Sequence, residues 1–465
     1  MKNLSSKFAF VLPTVLALLT LLSAGSAAKL ASQEPSKEDK PETKAASVDP
    51  ATVDPATVDL ASGNAASRNA AQENSESGTT APDNAVPDNA VPENAVAEEA
   101  RPVRKQRPIL STEVAARRFE RATDRWRDSL KEITRVKVYY AISKPSEKTE
   151  YVEKWTKAID EHFDALKEVH ITGADAYAAN YQPLVELEGF LLKLAKHDLT
   201  NGRNELAFEL LDDLNLAGCE APELGSLLGN AALFSNHFPE ARVAMRRERE
   251  KGMLGPAGAG WMSQIDKIVA AWDLEQALRA KEAEADDLPR VLLHTSQGDI
   301  VIELFENEAP DTVGNFIHLV EQGFYDGLQF FHVERSVVAQ TGCPQNSGKG
   351  SPGYSIYCEC FQPNHRERFA GSVAMAKMAS SKEGEPAPNT AGSQFFIDAR
   401  PAPSLGESQF TVFGRVIEGL QRVSRLQIKG DDDEETPSQS LPDWIISAKV
   451  LRKRPHKYVP NKVQK

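Results

Sequence analysis

The chain has 465 residues, 54 of them basic and 67 acidic, for a formal net charge of −13. That length admits two or three domains. The acidic balance, with no basic cluster carrying interleaved aromatics, excludes a typical nucleic-acid-binding surface and favours solubility.

Residues 1–28 read as a secretory signal peptide. Lys2 and Lys7 give a positive start, and Phe8 to Leu22 is an apolar run interrupted by Pro13. Ser26-Ala27-Ala28 supplies a small-residue cleavage site. The run is short for a membrane span, and an uncleaved anchor is the alternative reading. The expected location is the periplasm or cell envelope, or the medium. Residues 29–108 form a low-complexity linker. Val48-Asp49-Pro50-Ala51-Thr52 repeats from Val53, and Pro82-Asp83-Asn84-Ala85-Val86 repeats from Pro87 and, with Glu93, from Pro92. Regular prolines block helices and sheet interiors, and so little apolar area cannot offset ordering entropy. The expectation is a disordered, semi-extended tether.

Residues 109–285 predict an all-α region. Leu184, Leu187, Leu191, Leu192 and Leu194 lie at helical spacing, Asn201-Gly202 breaks the run, and Leu206 to Leu214 resumes it. Leu224 to Phe234 and Ala241 to Arg249 predict a second pair around a turn at Asn236 to Pro239. The two pairs resemble tetratricopeptide-type repeats; an unrelated small bundle fits as well. No catalytic cluster stands out, so the expected role is docking a protein partner or spacing. Asp286-Asp287-Leu288-Pro289 marks a boundary.

Beyond it the pattern turns to strands. Val291 to Thr295 and Asp299 to Phe305 pair around a Gln297-Gly298 turn. Pro310 opens a helix whose Val313, Phe316, Ile317 and Val320 form one stripe, and Gly323 ends it. Ser372 to Ala376, Phe410 to Val416 and Trp444 to Leu451 predict strands, and Leu420 to Leu426 a second helix. Many short strands with two helices predict a closed antiparallel β-barrel capped by helices. Between two of the strands lies Asn389-Thr390-Ala391-Gly392-Ser393-Gln394-Phe395-Phe396-Ile397. Residues two apart in extended chain share a face. Gln394 and Phe396 thus offer a donor beside an apolar ring, which suits a prolyl peptide. The four cysteines, Cys219, Cys343, Cys358 and Cys360, lack the spacing of a zinc site. Cys358 and Cys360 share a face if that piece is a strand. A bridge from one of them to Cys343 and four free thiols both fit, since export permits disulfides.

Residues 290–452 resemble a cyclophilin, a peptidyl-prolyl cis-trans isomerase. The resemblance rests on Gly298 to Leu304, Ala309-Pro310 with Asn315-Phe316, Gly323-Phe324-Tyr325-Asp326-Gly327, Gln340-Thr341-Gly342, Asn389 to Ile397 and Val412-Phe413-Gly414-Arg415-Val416, in the family's order. It implies an eight-stranded antiparallel barrel with two capping helices, followed here by a basic tail at 453–465. It also implies isomerisation of X-Pro bonds without metal or cofactor. The implied site has Gln340 as a catalytic, peptide-holding residue and Gln394 as a second glutamine. Phe396 floors a proline pocket bounded by Val337, Val338, Leu405 and Phe410, with Ala376 on the peptide-contacting strand. Several positions depart from the family. Val337 and Val338 stand where a phenylalanine and a methionine are usual, Phe410 where a histidine or tyrosine is common, and Lys377 where an asparagine is. The loop from Met378 to Pro388 is long. Most seriously, ungapped alignment puts His332 at the catalytic arginine, with Arg335 as the alternative. An imidazolium donates a hydrogen bond but loses its charge above a pKa of about 6.5, and it lacks the guanidinium fork. The expected function is isomerisation of X-Pro bonds in exported proteins, assisting their folding. The alternative is a catalytically weak peptide-binding or scaffold module.

Overall fold

The computed structural model describes residues 107–142, 148–380, 385–405, 408–426 and 443–464. The signal-like segment, nearly all of the tether and part of the Met378 to Pro388 loop lie outside these residues. Among the described residues no helix is long and apolar enough to cross a membrane.

The helical region folds as α1 (Thr112–Ile142), α2 (Lys148–Ala178), α3 (Leu184–Thr200), α4 (Asn204–Leu216), α5 (Leu224–Phe234), α6 (Phe238–Glu250), α7 (Pro256–Met262) and α8 (Ile265–Ala285). The leucine spacing is the cause. Leu187, Leu191 and Leu194 on α3, and Leu206, Leu210, Leu211 and Leu214 on α4, are buried in one core. The break between them is Gly202, at a φ of +68° that other residues rarely adopt. Pro239 lies in the first turn of α6 rather than before it, where its missing N–H costs nothing.

The strands are β1 (Arg290–Thr295), β2 (Gly298–Leu304), β3 (His332–Glu334), β4 (Val338–Thr341), β5 (Ser372–Met375), β6 (Phe395–Asp398), β7 (Val412–Glu418) and β8 (Ile445–Arg452). They form one antiparallel sheet in the order β3-β4-β6-β5-β7-β2-β1-β8. Its two edges meet. Phe330 N–H donates to the Asp443 carbonyl at 2.9 Å, and Ile445 N–H to the Leu328 carbonyl at 2.8 Å. Closure removes the unpaired edges that an open sheet would expose.

Helix α9 (Pro310–Glu321) closes one end. Its Phe316 lies 5.1–5.3 Å, centroid to centroid, from Tyr325, Phe395 and Phe413 in the barrel core. Asn315 is fully buried and satisfied: it donates to the Gly392 carbonyl at 2.8 Å and accepts from Tyr354 Oη at 2.8 Å. Glu359 caps the helix start, taking the N–H groups of Asp311 and Thr312 at 3.0 and 2.9 Å. The Cys358 to Cys360 segment is a loop and not a strand. All four cysteines are free thiols. The second capping helix, α10 (Leu420–Val423), is shorter than the sequence predicts, because the chain turns at Ser424. The basic tail does not trail away. Tyr458 is buried in the barrel core, and Val459 backbone packs against Gly314 of α9.

The helical region packs directly on the barrel, which its sequence did not foretell. Glu275 and Glu282, two turns apart on α8, grip Arg366 from the barrel at 2.8 and 2.5 Å. Glu282 also holds Arg415 at 2.6 Å, and Arg415 reaches Glu303 on β2 at 2.6 Å. The Arg366 guanidinium lies 3.9 Å over the Phe305 ring. A second contact between the regions pairs Arg422 with Asp160 of α2 at 3.1 Å.

Candidate functional site

Residues opposite one another in an antiparallel ladder share one face of the sheet. The registers His332 with Gln340, Gln340 with Phe396, and Phe396 with Ala374 therefore line four side chains across β3, β4, β6 and β5. Their neighbours Ala339, Phe395 and Ile397 fill the barrel interior. The row consequently faces outward.

Gln340 Nε2 donates to Gln394 Oε1 at 3.0 Å. Gln394 in turn donates to the carbonyls of Gly348 and Gly350 at 2.7 and 2.8 Å, which fixes the orientation of its amide. Beside this pair lies an apolar cluster separate from the barrel core. It contains Val338, Ala374, Phe396, Phe410 and Val412, with Leu288 and Phe305 toward the helical region and Val337 and Ala376 at its margin. The Phe396 and Phe410 rings meet edge to face at 5.3 Å.

Of the nine residues the sequence nominates, eight share this face or its rim: His332, Val337, Val338, Gln340, Ala376, Gln394, Phe396 and Phe410. Leu405 does not join the cluster. It packs against the helical core instead. Arg335 is exposed at the hairpin tip beside Ser336, which has a φ of +63°. Lys377 turns to the rim, donating to Cys360 Sγ at 3.2 Å and to the Gln409 carbonyl. Nearby, a hydrogen bond from Cys360, the Asn389 N–H and Lys377 lower the Cys358 thiol to about 6 against its burial, while the same bond raises Cys360.

The sequence reading missed Arg368 and Asp398. Arg368 Nε and Nη2 grip the buried Asp398 at 3.0 and 2.5 Å, and the guanidinium lies 4.8 Å over the Phe396 ring. A lone arginine in the loop before β5 reads as a solvated charge; only its packing on the ring marks it.

Backbone geometry around the glutamine pair is tight. Gly342 has a φ of +86°, and a Cβ there would lie 2.3 Å from the Ser393 carbonyl oxygen. Ser393 Oγ also donates to the Gly342 carbonyl at 2.7 Å. We expect Gly342→Ala to destabilise the chain by roughly 1–3 kcal/mol, the range for a strained backbone position, and to lower peptide turnover. A melting curve and an isomerase assay on the same preparation check both; an unchanged melting point would contradict the strain.

Residues 290–450 match the family model for the cyclophilin type peptidyl-prolyl cis-trans isomerase/CLD. A peptidyl-prolyl cis-trans isomerase of Synechococcus elongatus is 41% identical over 128 residues, covering 28% of this chain and 80% of the relative. Peptidyl-prolyl cis-trans isomerase B of Bacillus subtilis is 43% identical over 127 residues, covering 27% and 82%. Among solved structures, a cyclophilin type isomerase of Cryptosporidium parvum is 27% identical, covers 36% of this chain and 99% of its own, and has a TM-score of 0.31. The same protein was also solved in the presence of the dipeptide Ala-Pro, at 29% identity, covering 35% and 99%, with a TM-score of 0.30.

Proposed function

This chain belongs to the cyclophilin-type peptidyl-prolyl cis-trans isomerases, and we propose that it turns X-Pro bonds on the outward row of its barrel, in exported proteins whose folding it assists. One observation carries the site assignment: five nominated apolar residues share one cluster beside the Gln340–Gln394 bond.

In this reading the prolyl ring rests on the Phe396–Phe410 floor. Gln340, whose Oε1 has no bond among the described residues, holds the peptide backbone. Amide resonance sets a barrier of roughly 18–20 kcal/mol, and the uncatalysed exchange takes roughly tens to hundreds of seconds. Rotation twists the bond and returns a lone pair to the proline nitrogen. A donor aimed there binds the twisted state better than the planar one, which is what catalysis requires. His332, at the end of the row, is the donor.

The test is turnover of an Ala-Pro peptide by the full chain and its His332 variants. His332→Ala loses about 100-fold or more in kcat, the scale of a single transition-state donor, and His332→Arg gains. A fully active His332→Ala removes His332 from the mechanism. No gain in His332→Arg favours the second reading, a weakly catalytic peptide-binding module. That reading is supported by the floor ring, Phe396, being only 6% exposed.

Export is supported by Lys2, Lys7, the Phe8 to Leu22 run and Ser26-Ala27-Ala28. Cell fractionation with N-terminal sequencing of the mature chain tests it; an intact N-terminus in the cytoplasmic fraction contradicts it.

A further inference from the structure

Between the Cys360 loop and β5, the helical region holds the chain on both sides of two residues, Glu367 and Arg368. Upstream, Arg366 is clamped by Glu275 and Glu282 of α8. Downstream, Phe369 is buried in the helical core, 4.8 Å from Trp272 and 5.7 Å from Phe238 between ring centroids. Ala370 exchanges two bonds with the Asn236 side chain: its N–H donates to Oδ1 and its carbonyl accepts from Nδ2, both at 3.0 Å. The pinned segment leaves Arg368 facing the barrel.

There the guanidinium lies 4.8 Å over Phe396 and 5.5 Å over Phe410, the two rings that floor the slot. Asp398, on β6 two residues after Phe396, locks it with two bonds. A guanidinium stacks well on an aromatic face, and the contact strengthens when water is excluded. A prolyl ring stacking on the same face competes for the same space. Leu405, the residue expected to wall the slot, packs against the helical core instead.

We propose that Arg368 is a specificity-determining residue of the proline slot, a guanidinium that a substrate's prolyl ring must displace, and that the helical region holds it in place through Asn236 and Phe369. The proposal rests on reading Phe396 and Phe410 as the slot floor. It gives the helical region a role within the isomerase itself: it sets how readily the slot opens. Peptides with weak flanking contacts are turned over poorly, and those with stronger contacts on either side are selected.

The experiment compares the full-length wild type with two variants, measuring both kcat/KM and the Kd for an Ala-Pro peptide. Arg368→Ala combined with Asp398→Asn removes the guanidinium without leaving a buried carboxylate unpaired. We expect it to bind the peptide about 2- to 30-fold more tightly, the range set by losing a partly desolvated cation–ring contact, with kcat/KM raised by a similar factor. Asn236→Ala, which touches neither ring, moves both quantities the same way by less. Unchanged or weaker binding in the double variant, in a wild type that turns over, overturns the proposal. Should the double variant melt below the assay temperature, Asn236→Ala decides: a gain supports the proposal and no gain overturns it. A wild type that neither binds nor turns over the peptide overturns the slot assignment and, with it, this proposal.

Discussion

Arg366→Ala is expected to destabilise the chain by up to about 3–5 kcal/mol, the cost of removing one partner from buried ion pairs. The Arg366 side chain is 1% exposed and contacts Glu275 and Glu282 of α8 and, at 3.7 Å, Glu308. Its removal leaves Glu275 only Arg279, Glu282 only Arg415, and takes from the largely buried Glu308 its nearest cation. The loss concentrates at the junction of the two regions, so Trp272, which meets Phe369 edge to face, reports it. Denaturant unfolding followed by tryptophan fluorescence should show the helical region separating before the barrel melts. A neutral replacement, Arg366→Met with Glu275→Gln and Glu282→Gln, should cost less, because it removes both carboxylates that Arg366 clamps and leaves Arg415 paired with Glu303, so that only Arg279 and Glu308 lose a charged partner. Equal loss in both variants would mean that packing, not charge, joins the regions.

The clamp also gives a sign for pH. Burial raises Glu275, but Arg366 and Arg279 outweigh it and hold its carboxyl below the ordinary range. A depressed folded pKa contributes stability that is present above the unfolded value, about 4.3, and is lost as pH falls through the folded one. Glu308 is raised by burial, takes its proton at higher pH and partly opposes that loss. Acid should therefore loosen the junction only below about pH 4.

Phe396→Ala is expected to lower kcat/KM by about 10- to 100-fold. Burying an apolar ring is worth about 1.5–3 kcal/mol, and each 1.4 kcal/mol is a factor of ten. The loss should fall mainly on KM, because the floor binds planar and twisted states alike. Gln340→Ala should differ, lowering kcat as well, because its amide holds the backbone that rotates. The two variants together separate floor from grip. Phe396 is also buried, so the assay belongs at a temperature where the variant's melting curve shows it folded. Wild-type kcat/KM in a folded Phe396→Ala would remove the ring from the site.

Much of this was legible in the sequence because periodicity reports buried faces. Alternation at Ile300, Ile302 and Leu304 marks the barrel side of β2, and Val313, Phe316, Ile317 and Val320 mark the inner face of α9. Gln394 and Phe396, two apart, do share the outward face, and the ladder adds His332 and Gln340 to it. What periodicity cannot report is which surface covers another. Glu275 and Arg366 are 91 residues apart, and each alone reads as a solvated charge. Leu405 reads as a slot wall until the helical core competes for it. Arg368 acquires its role only because Asn236 and Phe369 pin the residues beside it. These are contacts between regions, set by tertiary packing rather than by local pattern.

The most direct measurement is heteronuclear NMR of the full chain titrated with an Ala-Pro peptide, with exchange between the peptide's cis and trans forms followed in the same tube. Shifts are expected to concentrate at His332, Gln340, Gln394, Phe396 and Phe410 while the peptide's two forms interconvert far faster than in buffer. Shifts confined to the helical region, or binding at the row with no acceleration of exchange, would contradict that expectation.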